Sequence, residues 1–76
     1  MKYIVIEIQT NADGTVGNLV YAFDDRLEAE QKYHLILSYA AVSTLPCYAA
    51  AILTSDGRLI ESKNYKHEET NYNTNE

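Results

Sequence analysis

The sequence contains few of the residues from which many structural and catalytic sites are built. It has one cysteine, one proline and no tryptophan among 76 residues. A lone cysteine, Cys47, excludes a disulfide within the chain. The longest apolar run, residues 47–53, is far shorter than the roughly 18 residues that a transmembrane helix requires. We therefore expect a protein that neither crosses a membrane nor depends on disulfides, as is usual in a reducing cytoplasm.

The first residues do not have the pattern of a secretory leader. Apolar Ile4, Val5 and Ile6 are followed at once by Glu7, so the apolar stretch is too short for the core of a signal peptide. This pattern also favours a cytoplasmic location.

Positive charge is scarce as well. Six Lys and Arg residues stand against eleven Asp and Glu residues, giving a net charge of -5. Nucleic-acid binding needs clustered cations that neutralise phosphates, and the cations of this chain are scattered along it. We therefore expect no nucleic acid as a ligand.

Against these absences, the chain has a clear pattern of strands. Apolar residues alternate over 2–9 and again over 16–23, and a turn ending in Gly14 separates the two segments. Residues 47–54 are nearly all apolar, which is typical of a central strand. A Ser-Asp-Gly turn then predicts a return strand over 58–65. The pattern indicates two β-hairpins. The loop of the first hairpin is expected to be longer than two residues.

One helix is predicted between the hairpins. Asp25 and Glu28 have the spacing of a capping box, so the helix is expected to begin there. Pro46 disfavours helical backbone before it, and the helix is expected to end near Val42 or Ser43. The stripe predicted to face the sheet consists of Ala29, Tyr33, Ile36, Leu37 and Ala40.

The element order ββαββ predicts an α+β fold. We expect a four-stranded antiparallel sheet in the spatial order 2-1-3-4, with the helix packed on one face. This single domain covers residues 1–66. Residues 67–76 are polar and aperiodic, and they are predicted to form a flexible tail. The alternative is that the tail docks on a neighbouring chain through Tyr72.

No signature of catalysis, metal binding or a cofactor stands out. His34 and His67 lack a neighbour in sequence that would orient them for proton transfer. The Asn-Ala-Asp-Gly turn resembles the start of a calcium loop, but Val20 occupies the position where the bidentate glutamate is required. We therefore predict no catalytic residue, no metal and no cofactor, and a non-enzymatic role is favoured.

The main functional prediction follows from the number of helices. One helix covers one face of a four-stranded sheet, yet the strands carry apolar residues on both faces. Soluble monomers rarely leave a large apolar patch exposed to water. We therefore predict a homodimer, or association with another protein, through the uncovered face. The candidate interface residues are Tyr3, Val5, Val20, Ala22, Tyr48, Ala50, Ile52 and Ile60.

Two other interpretations remain open. The seven tyrosines supply the amphipathic rings that are enriched at interfaces, but small α+β domains also carry tyrosine on a solvated sheet face. A different hypothesis is a small ligand-binding or enzymatic domain, with a pocket near Tyr33, His34 and Cys47. That pocket requires the helix and the start of the third strand to converge.

Four segments resemble a family of short uncharacterised proteins encoded by gut clostridia and their prophages. The segments are residues 3–9, 11–16, 29–34 and 40–43. The resemblance spans residues 2 to about 67 and rests on structural rather than chemical motifs. It implies a bacterial or phage origin and an accessory or interaction role, and it implies no activity or site.

Overall fold

The computed structural model describes residues 2–67, which form four strands and one helix. In chain order these are β1 (Tyr3–Thr10), β2 (Val16–Phe23), α1 (Arg26–Ala40), β3 (Cys47–Thr54) and β4 (Leu59–Lys66). The strands form one antiparallel sheet in the order β2-β1-β3-β4. The predicted α+β fold and its strand order are confirmed.

Both hairpins close with the same kind of turn, and each turn ends in a glycine. Gly14 has a φ of 90° and Gly57 a φ of 92°, in the left-handed region that glycine adopts without a steric penalty. The N–H of Gly14 donates to the C=O of Asn11 at 3.0 Å, and that of Gly57 donates to Thr54 at 2.9 Å. These are three-residue loops with a glycine bulge, which match the right-handed twist of the flanking strands.

The boundaries of α1 follow from local hydrogen bonds. The side chain of Asp25 accepts from the N–H of Leu27 at 3.2 Å, which confirms the predicted start. The helix ends at Ala40, earlier than predicted. The N–H groups of Val42 and Ser43 bond to carbonyls three residues back, at 3.2 and 3.3 Å, so the chain tightens into turns before the proline.

The hydrophobic core lies between α1 and one face of the sheet, which we call the covered face. Of the stripe predicted on the helix, all but Leu37 is buried, and Leu37 packs at the margin of the core. The buried helix residues are Ala29, Tyr33, Ile36 and Ala40, and the buried apolar sheet residues are Val5, Tyr48, Ala50 and Ile52. The predicted helical stripe is therefore confirmed.

Tyr33 is fully buried in this core, and its hydroxyl has no hydrogen-bond partner among residues 2–67. Burial and the nearby carboxylate of Glu61 both raise the pKa of Tyr33. A buried hydroxyl without a partner costs about 1–3 kcal/mol. We expect Tyr33→Phe, which keeps the ring, to leave the free energy of unfolding unchanged or to raise it by about 1 kcal/mol. Urea denaturation monitored by circular dichroism measures this difference.

Tyr33→Leu is the control for the ring itself. It leaves part of the ring volume unfilled, so a loss of about 2–4 kcal/mol is expected. If Tyr33→Phe lost as much stability as Tyr33→Leu, the hydroxyl would have to be hydrogen-bonded in the folded protein.

His67 also makes contacts with the described fold. Its ring nitrogen Nε2 lies 2.7 Å from the C=O of Ala40, at the end of α1, and its backbone N–H donates to the C=O of Pro46 at 2.9 Å. The ring also stacks on that of Tyr65, with centroids 6.3 Å apart. His67 therefore caps the helix, although it was assigned to the tail. Residues 68–76 of the predicted tail lie outside the described residues.

Candidate functional site: the open face of the sheet

The face of the sheet turned away from α1 is the candidate site, and we call it the open face. Residues directly opposite each other on neighbouring strands share a face, so the strand registers define its membership. On β2 the open face consists of Val16, Asn18, Val20 and Ala22, and on β1 of Ile4, Ile6, Ile8 and Thr10. On β3 it consists of Cys47, Ala49, Ala51 and Leu53, and on β4 of Leu59, Ser62, Asn64 and Lys66.

The open face is apolar and nearly free of charge. Among its strand residues only Lys66 carries a charge, and it lies on an outer strand. The ion pair between Lys2 and Asp24 lies just beyond the ends of β1 and β2. Val16 and Val20 at one margin are 61% and 59% exposed. Eleven of the sixteen strand residues of the open face are apolar, and most of the polar ones lie on β4, so its apolar part is formed by β2, β1 and β3.

Large and small side chains on the open face are separated by strand. A ridge of isoleucines runs along β1, and the neighbouring positions of β3 are occupied mostly by alanines, which leave a trough beside the ridge. The ridge consists of Ile4, Ile6 and Ile8, and their partners on β3 are Leu53, Ala51 and Ala49.

The predicted list of interface residues was wrong about the face for most of its members. Val20 and Ala22 do lie on the open face, as predicted. The others lie on the covered face: Val5, Tyr48, Ala50 and Ile52 are buried under α1, and Tyr3 and Ile60 pack against that core. The reason is the register, because Val5 pairs with Tyr21 and Val20 pairs with Ile6. Val5 and Val20 therefore cannot share a face.

The structure does not bring the residues of the alternative pocket together. Tyr33 lies inside the core, whereas His34 is exposed and meets the Tyr33 ring edge-on, with centroids 5.2 Å apart. Cys47 lies on the open face, so the sheet separates it from Tyr33. A pocket that uses all three side chains is therefore not formed.

Residues 2–67 contain neither a cluster of metal ligands nor a membrane-spanning helix. Within residues 2–67, no group of three or more His, Cys, Asp or Glu side chains is placed to hold a metal ion. No helix in the same part of the chain has the length and apolar character needed to span a membrane.

A buried carboxylate on the covered face was not predicted, because no sequence pattern indicates it. Glu7 is only 7% exposed. Its Oε2 accepts hydrogen bonds from the Tyr48 hydroxyl and, at 3.0 Å, from the Gln9 amide. Its Oε1 accepts from the Tyr21 hydroxyl at 3.3 Å. Gln9 also donates to the Tyr48 oxygen at 3.1 Å, so the four side chains form one connected network.

The network is held together by donors from the chain itself. Burial and the hydrogen bond to Glu7 raise the pKa of Tyr48 to about 12, so its phenol remains a donor at neutral pH. Burial raises the pKa of Tyr21 in the same direction. The Lys32 ammonium lies 4.2 Å from the centroid of the Tyr21 ring, at the margin of the network. Because both oxygens of Glu7 are bonded internally, the network is better suited to fixing the strands than to binding a ligand.

Comparison with known proteins adds no family or relative. The chain matches no protein-family model, and searches of curated proteins and of solved structures found no match. A function for this chain must therefore be inferred from its own surfaces.

Proposed function

We propose that the protein is a small non-enzymatic interaction module that forms a homo-oligomer by stacking the open faces of two copies. The observation that supports this most directly is the continuous, almost uncharged apolar surface on the side of the sheet opposite α1. Four strands of eight residues span roughly 500 Å² per copy. Two stacked copies would bury about 1,000 Å² in total, which is the lower bound for a specific interface.

A second copy fits this face because the face is complementary to itself. A two-fold axis near the boundary of β1 and β3 places the isoleucine ridge of each copy over the alanine trough of the other. Side chains of stacked sheets interdigitate in the same way inside β-sandwiches, at a spacing of about 10 Å. The two helices would then lie on the outside of the assembly.

Charge also favours a second copy at this face. The chain has a net charge of -5, so two copies repel each other through most orientations. None of the strand residues of the open face is acidic, so stacking brings no pair of like carboxylates together. The contact is therefore selective for the open face.

The proposal extends to the setting in which the module acts. The resemblance to proteins of gut clostridia and their prophages supports an accessory role in a bacterium or a mobile element. The absence of an assembled pocket around Tyr33, His34 and Cys47 gives the enzymatic alternative no support from the described residues.

Replacing Ile6 with lysine tests the proposed stacking. Ile6 lies in the middle of the ridge and outside the helix-covered core, so the fold should survive while a desolvated ammonium opposes association. We expect the mass of the assembly in solution to fall to half that of the wild type or lower. Size-exclusion chromatography with multi-angle light scattering gives this mass, and circular dichroism gives the fold.

Leu27→Lys is the matched control. It adds the same charge at an apolar residue that is 72% exposed on α1, far from the open face. This variant should keep the wild-type mass. A wild-type protein that consists of single chains at micromolar concentration, or an Ile6→Lys variant with unchanged mass, would contradict the proposal.

A further inference from the structure

The outer edge of β2 has none of the usual protections of an exposed strand. Its eight residues, VGNLVYAF, include no charge and no proline, and it pairs with β1 without a bulge. The other edge strand, β4, contains a register shift and the charges of Glu61, Lys63 and Lys66. Soluble proteins block exposed edges with such charges and bulges because an open edge templates pairing with another strand. The sheet is therefore blocked at one edge and open at the other.

The turn at the start of β2 shows which backbone groups face outward. The N–H of Asn11 donates to the C=O of Thr15 at 2.8 Å, so these two residues form a hydrogen-bonded pair. Hydrogen-bonded and non-hydrogen-bonded pairs alternate along an antiparallel ladder. Thr10 and Val16 therefore form a non-hydrogen-bonded pair, as does every second pair after them. In these pairs the N–H and C=O groups of the β2 residue point away from β1. These residues are Val16, Asn18, Val20 and Ala22.

We propose that this edge pairs with β2 of a second copy, antiparallel about a two-fold axis through Leu19. In this register Asn18 lies opposite Val20 of the second copy, and Val16 lies opposite its Ala22. All four outward-facing residues of each strand then form hydrogen-bonded pairs, with about eight hydrogen bonds in total. The product is a continuous sheet of eight strands, four from each copy.

The residues of β2 favour a second copy over an unrelated strand. An axis perpendicular to the sheet pairs only residues of the same face, so on the open face Val16 meets Ala22 of the second copy and Val20 meets the uncharged Asn18. On the covered face Gly17 lies opposite Tyr21 of the second copy, where an aromatic ring can fill the space beside a glycine. No charge lies on β2, so pairing of the two strands creates no like-charge pair within them.

The approach to this edge is free of obstruction by α1. Leu19 and Val20, at the centre of the proposed contact, are 53% and 59% exposed. Among residues 2–67, no segment is hydrogen-bonded to the outer side of β2. A second strand can therefore reach the backbone without displacing the helix.

This inference uses a different surface from the stacking proposed above and does not depend on it. If both contacts form, the edge axis lies outside β2 and the stacking axis lies near the boundary of β1 and β3, so the two perpendicular axes do not meet and the assembly grows beyond four chains instead of closing. If only the edge contact forms, the protein is a dimer with both open faces exposed. The two proposals can therefore fail separately.

Asn18→Pro tests the edge contact. The N–H of Asn18 points away from β1, so proline removes a donor of the proposed contact without breaking the β1–β2 ladder. Asn18→Ala, which keeps the N–H, is the matched control and should retain the wild-type mass. By light scattering we expect more than four chains for the wild type, two for Asn18→Pro, two for Ile6→Lys and one for the double variant.

Each outcome decides one contact. Unchanged mass in Asn18→Pro, with circular dichroism showing a folded chain, overturns the edge contact. Unchanged mass in Ile6→Lys overturns the stacking and leaves the edge contact standing if Asn18→Pro halves the mass. If Asn18→Pro unfolds, hydrogen exchange of the wild-type amides gives the decision.

Hydrogen exchange measures the edge contact without a substitution. The amides of Asn18, Val20 and Ala22 should exchange about tenfold more slowly in the assembled protein than after dilution to single chains. Exchange at the same fast rate at every concentration would overturn the proposal. Slow exchange that does not depend on concentration would also overturn the proposal, because these amides would then be protected by their own chain and not by a second copy.

Discussion

Replacing Ile52 with lysine is expected to unfold the domain. Ile52 is 1% exposed and lies on β3 beneath α1, opposite Val5. A lysine there would place an ammonium in the apolar core, at a cost of several kcal/mol even after the surroundings relax. That cost is comparable to the whole free energy of unfolding of a domain of this size, about 5–10 kcal/mol. Loss of the far-ultraviolet circular dichroism signal and of dispersed amide resonances would record the unfolding.

Ala51→Lys is the control that separates the two faces of the same strand. Ala51 is the preceding residue and lies on the open face, in register with Ile6. This variant should remain folded while its assembly dissociates at the stacked face, because the ammonium can reach solvent in the separated chain. If Ile52→Lys folded and Ala51→Lys did not, the covered and open faces would have been assigned in reverse.

The elements of the fold could be predicted because their signals are local. The strands β2 and β3 were predicted with the bounds that the structure shows, residues 16–23 and 47–54. Alternating apolar residues define β2 and a continuous apolar run defines β3, and the turn or cap that follows each strand fixes its end within a few positions. The start of α1 was equally local, since the Asp25 side chain caps it. Its end was placed too late because the turns after Ala40 depend on how the chain crosses to β3.

The prediction of which residues share a face of the sheet was wrong for most of the interface residues because it depends on register. Alternation divides each strand into two faces but does not say which face of one strand continues onto the next. The first turn contains the missing information, since a three-residue loop ending at Gly14 pairs Thr10 with Val16. Counting back from that pair brings Ile6 opposite Val20 and Val5 opposite Tyr21.

The hydrogen-bonded network around Glu7 could not be predicted for a related reason. Tyr48 and Tyr21 are distant from Glu7 in sequence, and they meet it only because β1 lies between β2 and β3. A glutamate that alternates with apolar residues on an outer strand would usually face solvent. At the centre of the sheet the same residue must find internal donors.

Replacing Glu7 with leucine is therefore expected to destabilise the fold by about 2–4 kcal/mol, although it adds an apolar side chain to the core. The substitution removes the acceptor for the Tyr48 hydroxyl and for the Gln9 amide, both on the covered face. The Tyr48 hydroxyl is left without an acceptor, at a cost of about 1–3 kcal/mol, while Gln9 keeps only its bond to Tyr48 and Tyr21 loses a weaker contact. Urea denaturation of the wild type and the variant gives the difference in the free energy of unfolding.

A double-mutant cycle with Tyr48→Phe shows whether the loss arises from the network. Phenylalanine keeps the ring and removes the hydroxyl that donates to Glu7. In the Glu7→Leu background the Tyr48 hydroxyl has lost its acceptor. Tyr48→Phe should therefore lower the free energy of unfolding by at least about 1 kcal/mol less in this background than in the wild type. Glu7→Gln, which keeps one acceptor oxygen, should lose less stability than Glu7→Leu. Strictly additive losses in the cycle would mean that Glu7 stabilises the fold by some means other than its bond to Tyr48.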